Sequence, residues 1–193
     1  MRSNHADHRE ALARIGEGQL FGVVGYLYYV KKTGPESSNC QLASDDAEGS
    51  NVDFHIGVGF DADVAALLRA RKKVPDAKVL TQQSVIVEMT PHYRFTYAAD
   101  RWTLENLRAV IGRQVRVVGQ LVVDNEHNLG SQNCAMATTS GQRETCWRAS
   151  VWELHPVTQF LVCGTEKCTE SSPDWQELGL AAPPGEGVGG SPR

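Results

Sequence analysis

The 193-residue chain has no run of eighteen apolar residues, so nothing in it spells a transmembrane helix. It has no Cys-x2-Cys pair, the spacing that marks structural zinc sites, and no His-Glu-x-x-His, the signature of a zinc protease. Base is not in excess. Nineteen Lys and Arg against 23 Asp and Glu leave a formal charge of −4, which disfavours a protein that grips nucleic acid mainly by charge. No internal repeat occurs. The opening stretch MRSNHADHREALARIG lacks the apolar centre of a signal peptide. The expectation is a chain that is either cytosolic or follows a removed leader.

What is present points to strands. Valine (20) outnumbers leucine (15), and β-branched side chains suit a pleated surface. Leu, Ile, Val and Phe together number 44 of 193, too many for a disordered chain. Residues 5–15 read as a short helix and LFGVVGYLYYV (20–30) as the first strand. Residues 31–51 form a long polar loop. The second strand, VDFHIGVGF (52–60), alternates cleanly: Val52, Phe54, Ile56, Val58 and Phe60 share one face, Asp53, His55, Gly57 and Gly59 the other. Asp61 caps a helix over 62–73 that ends in bases and stops at Pro75. SVIVEMT (84–90) is the third strand. An irregular aromatic segment spans 92–101. A helix then starts at Thr103, with Trp102 and Leu107 at the spacing of a hydrophobic staple and Gly112 at its end. Residues 113–124 make the fourth strand, 125–147 a second long loop and 148–163 the fifth strand.

Five strands with a helix between the third and fourth match an OB-fold, a small Greek-key barrel, here with an extra helix between strands two and three. The expected division is an N-terminal helix or extension over 1–18, the barrel over 19–168 and a flexible Gly/Pro-rich tail over 169–193. Five cysteines bear on compartment. Cys40, Cys134 and Cys146 lie in polar segments, and Cys163 and Cys168 flank a short turn. Loop cysteines favour disulfides and an extracytoplasmic setting, with free thiols or a metal as alternatives. A bridge between the two long loops is one possible pairing.

An OB barrel closes in the order 1-2-3-5-4, so strands two, three and five are neighbours. Their polar faces carry His55, Glu88, Glu153 and His155, which can therefore converge. Asp124, Glu126 and His127 follow strand four, and Arg148 opens strand five. Two imidazoles and a carboxylate, as in His55, Glu88 and His155, can hold a divalent metal with a position open for water. Carboxylate–histidine pairs drawn from His55, Glu88, His127, Glu153 and His155 can instead work as general acid and base. Asp53, Asp124 and Arg148 are candidate ligand contacts, Arg148 through bidentate bonds to an anion. Against both uses stands a plain one: alternate residues of a half-exposed sheet that only meet solvent. Tyr26 and Tyr28 share a face of strand one, and Tyr93, Phe95 and Tyr97 alternate later; either set can stack a ligand or simply pack. The bases at 69–78 read as a solvated helix end.

The stretches DFHI (53–56), IVEMTP (86–91), VRVVGQLVVDNEHN (115–128) and WELHPVTQFLVC (152–163) carry a pattern of Asp-x-His, Val-Glu near a proline, Gly-x-Leu-x-x-Asp-x-x-His and Glu-Leu-His-Pro-Val. In this the chain resembles a widespread group of bacterial proteins without an assigned activity, over roughly 20–163. The resemblance implies an OB-like barrel and, in many members, export. It singles out His55, Glu88, Asp124, His127, Glu153 and His155. The long polar loops and the basic helix after strand two depart from the pattern. Two functions follow as expectations: an extracytoplasmic module binding a small or polymeric ligand, or a nuclease-like or metal-assisted hydrolase using the His/Glu cluster, with either no cofactor or a divalent metal.

Overall fold

The computed structural model describes residues 9–35, 51–98, 100–124 and 126–180. Within it lie strands β1 (Leu20–Lys32), β2 (Phe54–Gly59), β3 (Ser84–Met89), β4 (Gln114–Val123), β5 (Trp152–Cys163) and β6 (Trp175–Glu177). Six short helices accompany them: α1 (Arg9–Arg14), α2 (Ala62–Arg69), α3 (Val79–Gln82), α4 (Pro91–Tyr97), α5 (Leu104–Ala109) and α6 (Ser140–Thr145). The sheet order is β3-β2-β1-β4-β5-β6, and a parallel β3–β5 pairing closes the first five strands into a barrel. This is the expected OB-like arrangement, with α2 inserted between β2 and β3 and α5 between β3 and β4.

β1 is long enough to serve two partners. Its first half, Leu20–Tyr26, pairs with β4, and its second half, Tyr26–Lys32, pairs with β2. The turn-over comes at Gly25, where a Cβ would sit 2.6 Å from the Gly59 carbonyl oxygen, so only glycine lets the strands fold this closely. Alternation sends Phe54, Ile56, Val58, Val87 and Met89 inward with Val115, Val117, Leu154 and Phe160. Each such side chain, fully removed from water, contributes about 1.5–3 kcal/mol. α5 brings Leu104 and Leu107 into the same core together with Trp102. Thr103 caps this helix by accepting from the Asn106 N–H, and Gly112 ends the turn at φ +82°, as anticipated.

Several elements differ from expectation. Segment 92–101 is largely helical: Thr90 caps α4 by accepting from the Tyr93 N–H, Pro91 supplies a preset φ, and Arg94 is buried with its guanidinium 3.5 Å from the Phe54 ring centre. α2 ends at Arg69, the first residue of the basic stretch, rather than at 73. Phe60 is 56% exposed, because β2 stops at Gly59 and the chain turns into the Asp61 cap. Residues 169–180 are not simply tail. Trp175–Glu177 add β6 to the edge of β5, and Leu178 is fully buried, so two apolar anchors override a polar composition. The remaining tail, residues 1–8 and most of the first long loop, with Cys40, lie outside the described residues.

Two disulfides form, Cys134–Cys146 and Cys163–Cys168, so these four cysteines hold no metal. The first bridge closes the loop after β4 on itself and does not reach the other long loop. Among the described residues, no helix is long and apolar enough to cross a membrane.

Candidate functional site

β2, β3 and β5 turn their polar residues outward side by side. His55 and Glu88 are register partners on the antiparallel β2–β3 pair, so their side chains meet directly. The parallel β3–β5 pairing sets Ile86 against Glu153 and Val87 against Leu154, which brings His155 over Glu88: His155 Nδ1 lies 3.0 Å from Glu88 Oε2 and 3.8 Å from Glu153 Oε1. Asp53, just before β2 and wholly buried, places Oδ2 3.5 Å from His155 Nε2. One imidazole thus stands among three carboxylates, and one of those carboxylates holds a second imidazole.

The loop between β4 and β5 supplies the other half. The Asp124 Oδ1 atom accepts the N–H groups of Glu126 (2.9 Å) and His127 (3.3 Å), a local turn that folds the His127 ring back onto Oδ2, with Nδ1 2.6 Å away. Arg148 joins the halves. Its guanidinium is fully buried, with Nη1 on Asp124, Nη2 2.8 Å from Glu153 Oε2 and Nε donating to the Ser150 carbonyl at 2.8 Å. The backbone at Arg148 is held by a bridge to Asn133 and by the Cys134 N–H donating to its carbonyl at 2.8 Å, next to the Cys134–Cys146 disulfide. Trp147 packs edge-on against His127, 5.0 Å between ring centres, and takes the Lys31 ammonium at 5.4 Å from its ring centre.

The electrostatics follow from that crowding. Burial pushes Glu88 up, but hydrogen bonds from His155 and His55 and their positive charge outweigh it and bring Glu88 down to about 2. Burial pushes His155 down, but hydrogen bonds to Glu153 and Glu88 and the charges of Glu88 and Asp53 win and raise it to about 10. Asp124 is lowered as well: burial opposes this, but His127 and Arg148 prevail.

Eight of the candidates named from sequence meet in one network: Asp53, His55, Glu88, Asp124, His127, Arg148, Glu153 and His155. Tyr26 and Tyr28 do not join it. Tyr28 is buried against Val64 and Ala65 of α2, its hydroxyl accepts the Asp61 N–H at 2.8 Å, and Tyr26 packs on the same cluster. Arg148 differs in role from the anion grip anticipated for it, because it is fully buried and all three of its nitrogens already donate, to Asp124, Glu153 and Ser150. Lys31 and Trp147 were not anticipated; the only sequence signal for Trp147 is an aromatic next to Arg148 in an otherwise polar loop.

Asp53, Glu88 and His155 offer one donor atom each within 4.8 Å of one another, the only such group of three among the described residues. The arrangement can hold a cation, relay a proton between carboxylate and imidazole, or both. Comparison with protein-family models, with curated proteins and with solved structures returns no match.

Proposed function

We propose that this chain is an extracytoplasmic binding module whose ligand lies on the outer face of β2, β3 and β5, beneath the loop that joins β4 to β5. The observation that supports it is the convergence of eight polar side chains, from four separate stretches of sequence, into one network on that face. Burying ionised groups costs several kcal/mol each before pairing, on the order of what a whole apolar core residue returns, and the barrel already has its apolar core. The charge balance selects the ligand. Four carboxylates face one guanidinium and the positively charged His155 imidazole, so the balance stays negative, an anionic polymer is disfavoured and a cationic group is favoured. Two disulfides are consistent with an oxidising compartment.

The test is a nuclear magnetic resonance titration of the disulfide-intact chain with spermidine, tetralysine, chitotriose and a single-stranded DNA decamer. The expected result is that the cationic compounds shift resonances of β2, β3 and β5 and the DNA does not. Shifts confined to other surfaces, or none with any compound, would remove this reading.

A second reading, a hydrolase, is favoured by the Asp124–His127 pair. The carboxylate fixes Nδ1 of a ring whose side chain is 34% exposed, leaving Nε2 for proton transfer. It predicts turnover of p-nitrophenyl acetate or bis-p-nitrophenyl phosphate that drops about a hundredfold in His127→Ala. No turnover above background would eliminate it.

A further inference from the structure

We propose that the polar face holds one divalent transition-metal ion between Asp53, Glu88 and His155. This deepens the reading of that face as a ligand site and rests on it. Three observations carry it. The first is reach: the three donor atoms lie within 4.8 Å of one another, a set that side-chain movement of at most about 1.5 Å brings to the ligand spacing of an ion with bonds of about 2.0–2.2 Å. The second is the spacing of Asp53 and His155. At 3.5 Å, Oδ2 and Nε2 are too far apart for a good hydrogen bond, yet close to the roughly 3.3 Å that separates neighbouring ligands of a tetrahedral zinc.

The third is the surrounding support. His55 Nε2 holds Glu88 Oε1, and His155 Nδ1 lies 3.0 Å from Glu88 Oε2 and 3.8 Å from Glu153 Oε1; when an ion takes Nε2 and Glu88 turns towards it, Glu153 is the carboxylate left to take the Nδ1 N–H and fix the ring. Glu153 is itself anchored by Arg148. The charges divide accordingly. Arg148 lies between Asp124 and Glu153, while Asp53 and Glu88 flank the His155 ring, whose second proton an entering dication replaces. The donor type narrows the ion. One imidazole with two carboxylates suits Zn²⁺ or its first-row neighbours, whereas Ca²⁺ wants six to eight oxygens, far more than this set provides. Three protein donors leave a fourth position for water or for the ligand of the module.

The experiment is titration of the chelator-washed, disulfide-intact chain with Zn²⁺ alone and, in parallel, Ca²⁺ alone, read by calorimetry and elemental analysis. One zinc per chain is expected, with Ca²⁺ at least about tenfold weaker. Asp53→Asn and His155→Gln should each weaken zinc about 10–100-fold, while His92→Gln, exposed on α4, should not. Zinc below one per chain, zinc held equally by both variants, or a preference for Ca²⁺ would overturn the proposal. Should either variant fail to fold, the histidine ¹⁵N spectrum of the unaltered chain decides: zinc must move the ring nitrogens of His155, and an unmoved ring overturns it. If zinc fails while the cationic compounds still shift β2, β3 and β5, only the metal is lost. If both fail, the ligand site itself is lost.

Discussion

The polar network has two halves built in different ways. His55, Glu88, Glu153 and His155 sit on paired strands, where backbone register places each side chain against the next. Asp124, His127, Trp147 and Arg148 sit on a loop, where a side-chain-capped turn, one short bridge and a disulfide do the same work. Strand-borne groups are positioned by the barrel itself and lose their geometry only when it unfolds. Loop-borne groups depend on a few local ties and can be released separately. Arg148 is the member on which both halves depend.

The largest expected effect comes from removing that joint. Arg148→Met leaves Asp124 and Glu153 without their buried cation, and breaking such a pair costs about 3–5 kcal/mol. The midpoint of urea unfolding checks this. An unchanged midpoint would mean that the two halves are independent. Next is Cys134→Ser with Cys146→Ser, which releases a loop closed over a sequence separation of 12 and costs about 2–4 kcal/mol. Resonances of His127 and Trp147 should broaden or shift while those of His55 and His155 hold. Equal change in both sets would erase the distinction drawn here.

pH sharpens the strand half. Glu88, brought down from 4.5 to about 2, contributes stability that is present above its unfolded value and lost as pH falls through about 2. His155, raised from 6.5 to about 10, contributes stability that is complete below 6.5 and lost as pH rises through about 10. Stability from this pair should therefore be greatest between roughly 4.5 and 6.5 and decline on both sides. In His155→Gln the alkaline decline should flatten; a decline equal to that of the unaltered chain would assign it to another group. The smallest effect is His127→Ala. The ring is one-third exposed, so its loss should cost about 1 kcal/mol or less, with the strand-borne histidines undisturbed.

Much of this was legible in the residues. The alternation through Phe54, Ile56 and Val58 told which face His55 would occupy, and the order of elements implied that strands two, three and five would be neighbours. The Thr103 and Asp61 caps and the Gly112 stop were local signals, and they were obeyed. α4 was missed, although Thr90 and Pro91 are a recognisable start, because the aromatic run over 93–97 hid the helical period. β6 was missed because three residues carry no period at all, and its strand exists only through the edge of β5.

What the chain determined by itself was local: the period of two along each strand, the capped helix ends, and the residue types able to act as acids, bases or metal donors. The tertiary structure alone decided that donor atoms of Asp53, Glu88 and His155 lie within 4.8 Å of one another, that Arg148 is buried among its own carboxylates, and that Cys134 pairs with Cys146. The reason is sequence distance. Asp53 and His155 stand about a hundred residues apart, and no local propensity reports the strand register and loop closure that bring them to 3.5 Å.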